Sequence, residues 1–226
     1  MLTKMKLSMI KRKSGTSNAR RPQLLALLVF ASCAFAPIAA AADNWPSWRG
    51  PSSSGSRADG KFPVEWQVGD AAWKVALPGK GGSSPIVWGD RIFVSAPDAG
   101  ENSVLAYDLD GNRLWQTKLG KEKPAKHTKL GSSCNSSPVS DGEAVFVYFK
   151  SGHFAALEMD GSVRWQQNLT DEYGPEKLYW DQGSSPVLVG DLVILSRLHG
   201  GKSWVAGFDK GRKTPLASAP RLQSSC

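Results

Sequence analysis

The sequence predicts an all-β chain, a partial β-propeller of about three four-stranded antiparallel blades preceded by a signal-peptide helix. Three observations carry that prediction. A block beginning Ser-Ser-Pro recurs, as Ser83-Ser84-Pro85-Ile86-Val87, Ser136-Ser137-Pro138-Val139-Ser140 and Ser184-Ser185-Pro186-Val187-Leu188. Its prolines stand 53 and 48 residues apart, a period that belongs to propeller blades or solenoid units. Within each block, runs of Val, Ile, Phe and Trp alternate with Gly, Asp and Asn turns, as hairpin-joined strands do, and no long stretch carries the 3.6-residue period of an amphipathic helix.

From the N-terminus, residues 1–42 carry Lys4, Lys6, Lys11, Arg12, Lys13, Arg20 and Arg21 and no acid, then an apolar run from Leu24 to Ile38 and small residues up to Ala42. A basic start, an apolar middle and an Ala-x-Ala end define a secretory signal cleaved after Ala42. The apolar run falls short of the roughly 20 residues a bilayer span needs, so no transmembrane span is expected after cleavage. Arg20-Arg21 admits a twin-arginine variant, although Pro22-Gln23 follow where a bulky apolar residue is usual, and Phe30-Ala31-Ser32-Cys33 admits lipoprotein anchoring at Cys33 as the lesser alternative. The expected location is periplasmic or secreted, at a bacterial cell envelope. Seven of the 28 basic residues fall in this leader, which leaves 21 against 20 acids. A nearly neutral mature chain without a basic stripe argues against a nucleic-acid partner, and Lys118 to Lys129, interrupted by Glu122 and Pro124, reads as a solvated loop.

Residues 43–72 read as a cap and linker. Asn44-Trp45-Pro46-Ser47-Trp48-Arg49-Gly50-Pro51 cannot form a central strand, because proline removes ladder donors, but it can cover an end of a blade or channel. Ser52 to Gly60 is a flexible Ser/Gly linker. Trp73-Lys74-Val75-Ala76-Leu77 then reads as a lone strand ahead of the blades, which run over residues 73–209 with repeats at about 83–119, 136–169 and 184–209.

Each repeat ends on a small residue and an acid two positions later: Ala106 and Asp108, Ala156 and Glu158, Gly207 and Asp209. In the first two copies Gly111 with Trp115, and Gly161 with Trp165, close the unit. The packing logic is direct. The small residue sits where blades approach, the carboxylate accepts backbone N–H groups of a turn, and the indole wedges between blades with its N–H bonded. These ten positions are structural, and no catalytic residue is assigned. The Ser-Ser pairs would lie where one blade's outer strand crosses to the next blade's inner strand, placing Ser83, Ser136 and Ser184 near a channel mouth. The connector from Leu169 to Gly183 brings Asp171, Tyr179, Trp180 and Asp181 there, acids and aromatics that could bind a cation or a planar ring.

The unit Ser-Ser-Pro, turn, apolar run, small-x-acid, Gly, Trp resembles the blade repeat of the pyrroloquinoline-quinone-like (PQQ-like) β-propellers, over roughly Trp73 to Asp209. That superfamily holds quinoprotein dehydrogenases and non-enzymatic members such as the outer-membrane-assembly lipoprotein branch, which this chain resembles more. The resemblance implies an exported, non-catalytic scaffold or protein-binding module whose partners are other envelope proteins, with no cofactor. The alternative is a fragment of a PQQ-dependent oxidoreductase. In such enzymes the quinone stacks between a Trp and a disulfide of adjacent cysteines, and a Glu, an Asn and an Asp hold calcium. This chain has no Cys-Cys pair, since Cys134 and Cys226 are the only cysteines after Cys33, and a bridge between those two stays open. His127, His153 and His199 follow no metal-ligand spacing.

The pattern breaks after Asp209. With the spacing of seven seen from Asp108 to Trp115 and from Glu158 to Trp165, a third Trp belongs at Leu216. Residues 210–226 are expected to be an out-of-pattern tail, with Pro215 forbidding a regular final strand. A truncated or frameshifted reading frame is expected to account for it. Three blades fall short of a closed propeller, so self-association through the open blade edge is expected.

Overall fold

The computed structural model describes residues 44–58, 60, 62–197, 203–211 and, for the backbone alone, 215–218. The expected signal helix and lipidation site, His199, Cys226 and the end of the tail lie outside the described residues. Three antiparallel sheets of four strands follow one another. The first holds β1 (Ile86–Trp88), β2 (Arg91–Asp98), β3 (Glu101–Asp108) and β4 (Arg113–Lys121). The second holds β5 (Val139–Ser140), β6 (Ala144–Tyr148), β7 (His153–Glu158) and β8 (Val163–Asn168), after which comes one short helix, α1 (Leu169–Tyr173). The third holds β9 (Val187–Val189), β10 (Leu192–Arg197), β11 (Trp204–Asp209) and β12 (Pro215–Ser218). Strand order is sequential in every sheet, the up-and-down blade of an open propeller.

The period-2 alternation of strands gives each blade two apolar faces, and the cores form between blades. One side of blade 1 (Ile86, Phe93, Ala106) meets Val145, Val147, Ala155 and Leu157 of blade 2. The equivalent side of blade 2 (Val139, Phe146, Ala156) meets Val193, Leu195, Ala206 and Phe208 of blade 3. Phe154 sits at the centre of the second core, with ring centroids 5.0 Å from Trp165 and 4.9 Å from Phe208 in edge-on geometry.

The outer strand of each blade carries a β-bulge at the same place, between Ala106 and Tyr107, Ala156 and Leu157, and Gly207 and Phe208 on the facing strand. The bulge sets Trp115 opposite Ala106 and Trp165 opposite Ala156. From there each indole reaches the next blade: Trp115 Nε1 donates to Met159 O (3.0 Å) and Trp165 Nε1 to Lys210 O (2.9 Å). The Trp115 ring lies on Gly161, whose φ of +89° and lack of a side chain are both required, since a Cβ there would sit 2.6 Å from the indole. Asp108 accepts the N–H groups of Asp110 and Asn112 in its own turn, Asp209 accepts that of Gly211, and Glu158 instead takes a two-pronged pair with Arg164 at 2.6 and 2.7 Å.

Three expectations need correction. Trp73–Leu77 is not a strand: it runs without ladder partners, because none of the described strands offers it an edge. A fourth strand does form in blade 3 despite Pro215, since β12 is an outer strand and an edge position tolerates a residue without an N–H. Finally, the turn before β12 is one residue longer than in the other blades, so the position opposite Gly207 is Ala217 and not Leu216.

Replacing Trp165, 4% exposed, by Ala should lower stability by about 3–5 kcal/mol. Gly161→Ala should cost about 2–4 kcal/mol through a left-handed φ and a collision with Trp115. Urea midpoints of the two variants against the parent chain check both.

Candidate functional site

The inner ends of the blades meet through a repeated hydroxyl step. Ser84 N–H donates to Ser137 Oγ, and Ser137 N–H donates to Ser185 Oγ, both at 2.9 Å. The second serine of each Ser-Ser-Pro block is therefore a blade-to-blade clamp. The first serines sit differently from expectation: Ser136 is buried with its carbonyl taking the Ser95 hydroxyl (3.1 Å), and Ser83 Oγ accepts the Ser95 N–H (3.4 Å). Both first serines thus contact Ser95 of β2. Only Ser184 of the three lines the inner cavity.

The cap closes one side of that cavity. Trp45 exchanges both backbone hydrogen bonds with Val87 at 2.9 Å, Pro46 O takes the Ser140 N–H (2.9 Å), and Asn44 Oδ1 takes the Gly89 N–H (2.8 Å). A segment with two prolines can serve here because it needs only one ladder face. The cavity, about 750 Å³, is lined among others by Trp48, Arg49, Asn135, Ser137, Ser184 and Ser185.

On the side of the blade connectors, a second constellation forms around Lys150, at the end of the β6–β7 hairpin. Its ammonium, wholly buried, pairs with Asp181 Oδ1 and donates to Pro124 O at 2.6 Å. Asp181 Oδ1 also accepts the Lys126 N–H (3.0 Å). One lysine thus ties the connector after blade 1 to the connector after blade 2. Glu176, equally buried, takes the Leu178 N–H (2.7 Å) and pairs with Lys126 (3.4 Å). Burial pushes the Asp181 carboxyl up, but the Lys126 N–H and the Lys150 ammonium outweigh it and hold the group below the usual carboxylate range.

What this anchor presents is aromatic. His127, Tyr179 and Trp180 form a triangle of rings, with His127 5.0 Å from Tyr179 and 4.8 Å from Trp180 and those two 5.0 Å apart, and His127 Nε2 stands 3.2 Å from Tyr179 O. Tyr179 is 72% exposed, Trp180 58% and neighbouring Leu130 81%, so the cluster is a platform facing solvent and no part of a core. Of the four connector residues singled out in the sequence, Tyr179 and Trp180 share this platform, Asp181 is tied to the Lys150 anchor, and Asp171 is an exposed residue of α1, whose Leu169 is buried. Sequence reasoning missed His127, Lys150 and Glu176. The signal available was a lysine closing an otherwise apolar strand run, Val145-Phe146-Val147-Tyr148-Phe149-Lys150, where a buried charge needs a partner.

Cys134 stands between Ser133 and Asn135, wholly buried and unpaired, its thiol pushed up to about 12 by burial. Among the described residues no three His, Cys, Asp or Glu side chains converge as a metal donor set.

Lys150→Met should cost about 3–5 kcal/mol by leaving the Asp181 charge buried alone, visible as a lower urea midpoint. Because the Asp181 pKa is depressed on folding, its contribution is whole above the unfolded value of about 3.9 and is lost as pH falls through the folded one. The stability of Asp181→Asn should therefore fall less steeply below about pH 4 than that of the parent chain, as measured by urea unfolding across the acid range.

Comparison with known proteins agrees with this architecture. The family model of the outer membrane protein assembly factor BamB matches residues 58–222. A comparison with curated proteins returns no match. Solved structures similar to the chain include a europium-containing methanol dehydrogenase (21% identity, TM-score 0.48, 64% of this chain and 25% of that one). The quinohemoprotein alcohol dehydrogenase of Comamonas testosteroni is similar at 19% identity and TM-score 0.46, over 63% of this chain and 21% of that one. BamB of Moraxella catarrhalis is similar at 21% identity and TM-score 0.45, over 66% and 40%. The chain spans from about a fifth to two fifths of these proteins' lengths. With its family model covering most of its blades, the chain belongs to the PQQ-like β-propeller repeat family of the outer membrane protein assembly factor BamB.

Proposed function

We propose that this chain is an exported, non-catalytic scaffold of the bacterial cell envelope that binds other envelope proteins through its connector face. The observation that carries the reading is the His127–Tyr179–Trp180 platform: exposed aromatic rings held on a rigid, buried Lys150–Asp181 anchor. Aromatic side chains give large contact area at low entropic cost, and anchoring them in advance reduces the ordering that binding demands. The leader, with its seven basic residues and following apolar run, supports export. Among the described residues no helix is long and apolar enough to cross a membrane. Membership in an assembly-factor family makes protein partners the natural reading.

A photo-crosslinking residue placed at Tyr179 or Trp180 in cells making the protein should capture one discrete envelope protein. The same residue at Leu114, exposed on the outer strand of blade 1, should not. His127→Ala and Trp180→Ala together should reduce the Tyr179 crosslink at least tenfold while leaving the unfolding free energy from urea titration within about 0.5 kcal/mol of the parent. Equal labelling from Leu114, or alcohol oxidation by the purified protein after addition of pyrroloquinoline quinone and calcium, would overturn the reading.

A further inference from the structure

The connectors that carry His127, Tyr179 and Trp180 lie between sheets, one running from β4 to β5 and the other from α1 to β9, so the platform belongs to neither end of the run of blades. Charge on these connectors is sorted by depth. Their acids are used internally: Glu176 is buried against Lys126 (3.4 Å) and Lys123 (3.8 Å), Asp181 is buried on Lys150, and Glu122 takes the Ser133 hydroxyl at 2.5 Å. Their lysines face water. Lys126 and Lys129 flank His127 and Leu130 in the chain, Lys177 stands two residues before Tyr179, and Lys80 donates to the carbonyls of Thr128 and Lys129; all four are exposed. The exposed acids of the second connector, Asp171 and Glu172, sit on α1, where the Asp171 charge acts on His153. The rim of the platform is therefore positive.

The rings decide what else an occupant must have. Tyr179 and Trp180 stand at 87° to each other, and His127 is tilted by 49° and 45° from them. Three rings of which no two are coplanar offer no shared flat face, which is what a sugar or a planar base stacks on. They offer a stepped apolar surface instead, extended by Leu130, whose N–H is bonded to His127 O (3.0 Å). Such a surface suits a compact aliphatic or prolyl side chain.

Resting on the reading that this face binds envelope proteins, we propose that its occupant is an acidic peptide segment: an aliphatic or prolyl side chain seats on the His127–Tyr179–Trp180 rings while flanking Asp and Glu carboxylates meet Lys129 and Lys177. The two lysines stand on different connectors, so a segment several residues long is needed to reach both. A compact ammonium on a flexible stem can follow carboxylates along such a segment. Because Glu176 and Asp181 are already paired beneath the surface, the incoming carboxylates meet complementary charge and little repulsion.

Fluorescence anisotropy of the full chain with labelled synthetic peptides tests this. The probe Asp-Glu-Asp-Leu-Pro-Asp-Glu-Asp should bind at least tenfold tighter than the same peptide with Gly-Gly for Leu-Pro, or with Lys for every acid, and should weaken at least tenfold between about 50 and about 500 mM salt. These comparisons need no substitution, so they do not depend on variant folding. Lys129→Glu/Lys177→Glu should weaken the acidic probe at least tenfold, whereas Arg113→Glu, at an exposed position on the outer strand of blade 1, should not. An acidic probe that does not bind, equal binding of the three peptides, binding indifferent to salt, or tighter binding of an oligogalacturonate, which is anionic but has no apolar side chain, would overturn the proposal. If any of these comes with the Tyr179 crosslink intact, the platform takes a protein of other chemistry; loss of that crosslink would instead sink the reading on which the proposal rests.

Discussion

An indole laid across the boundary between two blades is the interaction on which this structure depends. A four-stranded sheet of short strands has two apolar faces and no interior of its own, so it is stable only as a member of a stack. The stacking must also be registered, since a slip of one residue would turn every apolar side chain to the wrong face. Trp115 and Trp165 fix that register by bonding to one specific carbonyl of the next blade, one residue beyond its acid. The recurrent features around each indole serve that contact. The small residue opposite the indole leaves room for the ring, the bulge aims the ring outward, and the left-handed glycine removes the Cβ that would block it.

A second ladder, at the inner ends, repeats the logic in polar form. The hydroxyl of each clamp serine receives the N–H of the previous one, so the walls of the inner cavity are bonded to each other before any ligand is considered. Outer indoles and inner hydroxyls together hold each blade at both ends. With the blades fixed in this way, variation is confined to the connectors. That is why the His127 platform is found there, on connectors that carry no part of the repeat, tied down by Lys150 from the β6–β7 hairpin of blade 2.

The blades were legible in the sequence because their signals are local and repeated. A strand needs only alternation and a turn, and the Ser-Ser-Pro and small-x-acid positions recur at nearly constant spacing. What was illegible depended on contacts across the repeat. The Lys150–Asp181 pair joins a hairpin turn of blade 2 to a connector residue 31 positions away, and no spacing rule announces it. His127 likewise reads as one histidine in a basic loop until the fold brings Tyr179 and Trp180 against it. The lone run Trp73–Leu77 was recognised by composition, but a strand is defined by its neighbour, and composition cannot supply one. Counting residues from Asp209 placed the missing indole at Leu216, since a one-residue change in turn length is visible only once the bulge sets the register.

The same interaction makes the arc directional. Each Trp bonds forward, from its own outer strand to the following blade's turn, so the two ends of any run of blades cannot be alike.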